Sequence, residues 1–254
     1  MTTATAPRPS ESPATPARRS GPLAIAVAEL RMLVRNRTVA LCALLLPLAF
    51  GALTFAVGSY GTGGMLAGVQ IIGMLGLGVY VTATTTLAAR RQSLHLKRLR
   101  SGSVSDAGII GGLVLPVVAV SLAQLVIVLG VLAIEEPPVN PGLLIVAVLV
   151  AEVMFAAFAL ATAGFSTSPE HAQYTTMPIY LITLGVAIWW TITGADDLLW
   201  LKRILPGGGL MELIVLAWNG GDLGLLPVLL APTLLWAAVA VAGAVRFFRW
   251  EPRH

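Results

Sequence analysis

Six stretches of sequence, near residues 38–58, 63–88, 108–134, 142–165, 174–193 and 225–247, are apolar and long enough to cross a lipid bilayer. No other feature limits the possible folds so strongly. A helix needs about 20 apolar residues to cover a hydrocarbon core of roughly 30 Å. Backbone groups in lipid must bond within the protein, and these uninterrupted runs lack the alternation of barrel strands, so the spacing predicts six helices. Composition excludes an ordinary water-soluble enzyme, because 57% of the 254 residues are hydrophobic and only 11% are charged. Lipid must be the solvent for most of the chain. The expected fold class is therefore an all-α polytopic membrane protein with six transmembrane helices. Pro47, Pro116, Pro178 and Pro227 start or kink spans, which neighbouring helices accommodate.

Orientation follows from the basic residues. Of 16 Lys and Arg, six precede the first span, five lie between the second and third (Arg90, Arg91, Lys97, Arg98, Arg100), and three follow the sixth (Arg246, Arg249, Arg253). Cytoplasmic loops carry the excess of positive charge, so both termini are expected inside. The opposite side receives Glu135 and Glu136, then Asp196, Asp197, Lys202, Arg203, Glu212 and Asp222. Topology accounts for the net charge of +4 without a nucleic-acid partner; membrane lipids are the expected surroundings.

Residues 1–22, rich in Pro, Ser, Thr and Ala, hold too little apolar surface to offset the entropy of ordering and are expected to form a disordered cytoplasmic tail. Arg18-Arg19 resembles a twin-arginine export signal in outline, but Glu29, Arg31, Arg35 and Arg37 break up the apolar region that such a signal requires. Residues 23–37 are expected to form an interfacial helix. At 100° per residue Leu23, Val27, Leu30 and Val34 line one face and Arg31 and Arg35 another, with Ile25 and Met32 inside the polar arc. A plain extension of the first span fits the same residues.

Inside the spans the polar residue that stands out is Glu152, flanked by Val150, Ala151, Val153 and Met154. An acidic residue at a helix centre costs about 2.5 kcal/mol or more, so it must face the bundle or a wet cavity, or be protonated. Three readings stand open: a substrate contact, a hydrogen bond across a dimer seam, or a protonated carboxyl paired with a neighbour such as Gln124. Gln70, Gln124, Tyr80 and the hydroxyls of Thr82, Thr84, Thr85 and Thr86 supply the remaining polarity, as glue between helices or lining of a path. Residues 196–222 contain an apolar stretch, Leu210 to Trp218, that is too short to cross, so short re-entrant or interfacial helices are expected there. Trp189, Trp190 and Trp200 fit an interfacial aromatic belt. Gly207-Gly208-Gly209 has no Gly-Lys-Ser or Gly-Lys-Thr at P-loop spacing, His95, His171 and His254 lack ligand partners at metal spacing, and Cys42 has no second cysteine, so neither an ATP site, a metal site nor a disulfide is expected on this chain.

The second basic cluster reads Ala-Arg-Arg-Gln-Ser-Leu-His-Leu-Lys-Arg-Leu-Arg from Ala89 to Arg100. As a helix it would repeat Arg90 with Lys97 and Arg91 with Arg98 on one face, with Leu96 and Leu99 roughly opposite. Positive-inside charge alone, or a docking surface for a cytoplasmic partner, would give this pattern.

The order of features resembles a known family. An amphipathic N-terminal helix, two spans, "LKRLR" at residues 96–100 with a small-residue turn, two more spans and "SPEHAQ" at residues 168–173 are similar to permeases of the ABC type-2 exporter family. Residues 23–250 carry the resemblance. It implies a transport subunit that is not itself an enzyme, in a bacterial cytoplasmic membrane, working with a separate ATP-binding-cassette ATPase that holds ATP and Mg2+, and with a second permease chain, most simply in a homodimer. The compact six-span form looks most like drug-resistance permeases. Residues 90–102 would be the coupling segment, with Arg90, Arg91, Leu94, Lys97, Arg98, Leu99 and Arg100 docking the ATPase and Ser168, Glu170 and His171 as a secondary contact. Where the family ends its fifth span near Ser-Gly, Thr193-Gly194 stands here. The implied cargo is an amphipathic small molecule, peptide or lipid; lipid-linked polysaccharide exporters share the fold. A non-transporting scaffold or sensor, and a proton-coupled carrier using Glu152, are the alternatives from other classes.

Overall fold

The computed structural model describes residues 21–35, 45, 47–54, 56, 61–101 and 104–248, with the side chains of residues 33–35 and 97 outside that description. The described residues form helices and connecting turns, with no strand among them. In chain order the helices are α1 (Pro22–Arg35), α2 (Gly63–Gln92), α3 (His95–Arg100), α4 (Asp106–Glu135), α5 (Pro141–Phe165), α6 (Pro169–Thr193), α7 (Leu199–Ile204), α8 (Gly208–Asn219) and α9 (Leu226–Phe247). Five of them, α2, α4, α5, α6 and α9 with its leading turn, are long and apolar enough to cross a membrane, as expected for a polytopic membrane protein. Most of the expected first span, 38–58, and of the tail, 1–22, lies outside the described residues; within the span, residues 47–54 are helical.

Local chemistry sets the helix boundaries. Ser105 and Ser168 cap α4 and α6 by accepting from the backbone N–H groups of Gly108 and His171. Pro141 and Pro169 open α5 and α6 where a missing N–H costs nothing. Gly194 ends α6 at φ +55°. The structure adds a π-helical segment inside α2, Gly76–Val81, in which the Thr82 hydroxyl donates to the Leu77 carbonyl at 3.0 Å.

Contacts at the helix ends sort the bundle into two faces. At the basic end, Ile25 of α1, Leu87 of α2, Leu96 of α3, Ile109 and Leu113 of α4 and Ala163 of α5 form one apolar cluster, against which Phe248 packs. At the other end, the start of α2 meets the end of α4 and the end of α8. The main core lies between, where α5 packs on α9 and α2 on α8.

Helix α1 does not use the face that the periodicity marks. Ile25, Ala26 and Glu29 are buried, whereas Leu23, Val27 and Leu30 are exposed. The reason is its seat on α4. A Cβ at Gly112 would lie 2.8 Å from both the Pro22 carbonyl oxygen and the Ile25 Cβ, so only glycine allows this approach. The Leu23 face is left uncovered.

The segment between α6 and α9 folds back into the bundle. Gly207 sits at φ +95°, and a Cβ there would lie 3.1 Å from the carbonyl oxygen of Thr183, ten residues before the end of α6. Helix α7 thus runs back along α6, the chain turns at Gly207 deep between the helices, and α8 returns to Asn219 beside Gly64. Residues 196–222, where short re-entrant or interfacial helices are expected, hold α7 and α8, and α8 is buried along most of its length.

Candidate functional site

The basic cluster is not one continuous helix. Residues Ser93 and Leu94 form a turn, with Leu94 at φ +58°, so α2 ends at Gln92 and α3 starts at His95. The seven-residue pairing of Arg90 with Lys97 and Arg91 with Arg98 is therefore broken, which corrects the single-helix expectation. Leu96 is fully buried and Leu99 half-buried.

The cations of this segment divide by environment. Arg90 donates to Glu29 of α1 at 2.6 Å, tying α1 to the end of α2. Arg91 departs from the expected exposed row: only 2% of it is accessible, and its guanidinium donates to the carbonyl of Ser166 between α5 and α6. Ser166 is itself fixed, its hydroxyl donating to the Thr162 carbonyl at 3.0 Å and lying 2.8 Å from the Thr175 hydroxyl. Arg98 and Arg100 are exposed, Leu94 is 45% exposed, and Arg100 pairs with Asp106 at 3.3 Å. The Lys97 side chain and residue 102 lie outside the described residues.

His95 lies among these charges. Burial pushes its pKa below the ordinary 6.5, Arg90 and Arg98 push the same way, and Glu29 opposes them. On the second loop Glu170 and His171 are exposed and Ser168 is half-buried. The His171 Nδ1 accepts from the Thr167 N–H at 3.3 Å. The two predicted contact segments thus meet at one end of the bundle, joined through Arg91.

Deep in the bundle Glu152 is 4% accessible, and neither carboxyl oxygen meets a donor among the described residues. The expected pairing with Gln124 is absent; Gln124 is buried on α4. Gln70 donates from Nε2 to the Gly51 carbonyl at 3.1 Å, while its Oε1 is unpartnered among the described residues. One turn from Glu152 a row of rings begins. Phe155 lies 6.4 Å from Tyr80 and 6.5 Å from Phe158, and Phe158 lies 6.4 Å from Trp236, centroid to centroid.

The far end is sealed by residues that the sequence pattern did not single out together. Glu136 accepts from the Gly63 N–H at 2.9 Å and Asn219 from the Gly64 N–H at 3.0 Å, so a carboxylate and an amide cap the start of α2. Asn219 also donates to the Thr62 hydroxyl at 2.6 Å. A glycine pair opening a helix was the available signal, but the two acceptors are distant in sequence. Lys202 is fully buried and donates to the Thr193 hydroxyl at 2.6 Å and the Gly194 carbonyl at 2.8 Å, with Trp189 4.9 Å from its ammonium. Arg203 grips Glu212 through two hydrogen bonds of 2.7 and 2.5 Å. Of the expected aromatic belt, Trp200 is exposed, Trp189 half-buried and Trp190 buried.

Set against known proteins, the chain matches no family model and no curated protein.

Proposed function

We propose that this chain is the six-span membrane subunit of an ATP-driven ABC exporter in a bacterial cytoplasmic membrane, with both termini in the cytoplasm. A separate ATPase subunit binds ATP and Mg2+, and a second permease chain, in the simplest case an identical one, completes the pathway. The cargo is an amphipathic small molecule, peptide or lipid. The observation that carries the reading is the linkage of the basic segment: its exposed residues Leu94, Arg98 and Arg100 follow directly on Arg90, bound to Glu29, and Arg91, bound to Ser166. A force applied to α3 is shared by α1, α2 and the α5–α6 loop. ATPase closure would push on residues 90–102, and secondarily on 167–173, and move the spans between inward and outward access. Binding that was equal in both nucleotide states would move nothing, so the contact has to change with nucleotide.

The test is ATP turnover in lipid bilayers by candidate ATPases from the same cell, with and without this chain. The expected result is one stably associated ATPase whose turnover depends on the chain and rises with cargo. Stable association without cargo-dependent turnover would replace the exporter with a scaffold or sensor. Transport driven by a proton gradient without any ATPase would replace it with a carrier.

A further inference from the structure

We propose that Glu152 is the counter-ion for a positively charged group on the cargo, so that the transported molecules are lipophilic cations. The inference deepens the exporter reading and rests on it for its physiological sense. Glu152 lies eleven residues after Pro141, roughly 16 Å along a helix that spans a core of about 30 Å, and so stands near mid-bilayer. Its carboxyl is buried with neither oxygen partnered among the described residues. A side chain kept for the fold alone would be bonded here, since a buried acceptor without a donor carries its whole desolvation cost. Departures of this kind gather at functional positions.

The bundle's own cations do not serve it. Arg90 is bound to Glu29, Arg91 to Ser166, Lys202 to Thr193 and Gly194, and Arg203 to Glu212. All four stand at the helix ends. Among the described residues none supplies the positive charge that would pair with Glu152, and on this proposal a ligand brings it.

The surroundings select its chemistry. Phe155, one turn along α5, begins a continuous row of rings with Tyr80, Phe158 and Trp236. Aromatic faces attract cations and tolerate apolar groups, whereas the negative face of a ring repels a free anion. Tyr80 belongs to the π-helical segment of α2, a local fault in the helix ladder that a change of register can relieve, and this gives the packed rings a way to part. A carboxylate beside aromatic faces is a site for a hydrophobic amine or another lipophilic cation, and a neutral analogue would leave the carboxyl unpaired.

Tetraphenylphosphonium and tetraphenylborate, near-isosteric ions of opposite charge, test the assignment by equilibrium dialysis against the full chain in nanodiscs, with empty nanodiscs as the blank. The wild-type chain is expected to retain the cation and not the anion. Glu152→Gln should weaken cation binding by about 30-fold, the low end for removing one partner of a buried charge pair. Glu152→Asp, which keeps the charge, should fall between them. Equal binding of the two ions by the wild type overturns the proposal without any variant, as does equal cation binding by wild type and a folded Glu152→Gln. Loss of proton-driven uptake in Glu152→Gln with unchanged cation binding makes the carboxyl a proton site instead. Association with the ATPase is measured on the same samples: its failure with cation binding intact removes the exporter reading alone, and the reverse removes only the cation site.

Discussion

Arg91 and Ser166, 75 residues apart in sequence, are joined by a hydrogen bond from a buried guanidinium to a main-chain carbonyl. The bond makes the two loops at the basic end one mechanical unit. Arg91→Ala should lower stability by about 2 kcal/mol, the worth of a charged hydrogen bond together with a stranded carbonyl. Arg98→Ala, at an exposed position, should change stability by less than about 0.5 kcal/mol and instead weaken ATPase association. Thermal unfolding of the purified chain, set beside co-purification, separates the two; equal destabilisation by both would contradict the division between a buried strut and an exposed docking side chain.

The Glu29–Arg90 pair holds α1 against the end of α2. Glu29→Gln or Arg90→Gln should each loosen α1, by about 1 kcal/mol for a pair in partial contact with water. Faster amide exchange across residues 22–35, with α5 and α9 unaffected, is the expected signature. A double-mutant cycle with no coupling between the positions would show that α1 is held by its apolar contacts with α4 alone.

His95 gives the basic end a pH dependence. Its pKa is lowered from 6.5 by burial first and by Arg90 next. The folded chain then binds the proton less readily than the unfolded chain, so stability is complete above pH 6.5 and declines as pH falls through the lowered value. Melting temperatures from pH 8 to about 5 should fall at the acid end, and His95→Gln should reduce that slope. An unchanged slope in the variant would move the effect to another group.

Gly207 turns the chain between α7 and α8 at φ +95°, close to the Thr183 carbonyl. Gly207→Ala should cost about 2 kcal/mol from the strained backbone. Limited proteolysis should then cut residues 195–207 sooner than in the wild type. Unchanged resistance would mean that the turn relaxes without releasing α7.

Much of the bundle was legible because span length is a one-dimensional property. The runs at 63–88, 108–134, 142–165, 174–193 and 225–247 reappear as helices whose ends differ by a few residues. The face of α1 was not legible in the same way. Leu23 and Ile25 are both apolar, and periodicity alone does not say which stays exposed and which meets Gly112. The positions of Arg91 and Arg98 read alike in sequence; only the distant Ser166 carbonyl distinguishes them. Glu152 was conspicuous, but that neither of its oxygens meets a donor among the described residues depends on three-dimensional packing. The π-helical segment has no local signature beyond the glycines at 76 and 78, which equally fit close packing.

The short apolar helix α8 also bears on how the chain is made. At 12 residues it covers about 18 Å, too little for a membrane-insertion machinery to hold as a span. It packs against α2 and α5, made before it, and against α9, made after it. Its packing is therefore complete only once residues 226–247 exist, and a chain released before Leu226 would leave the α9-facing side of α8 uncovered.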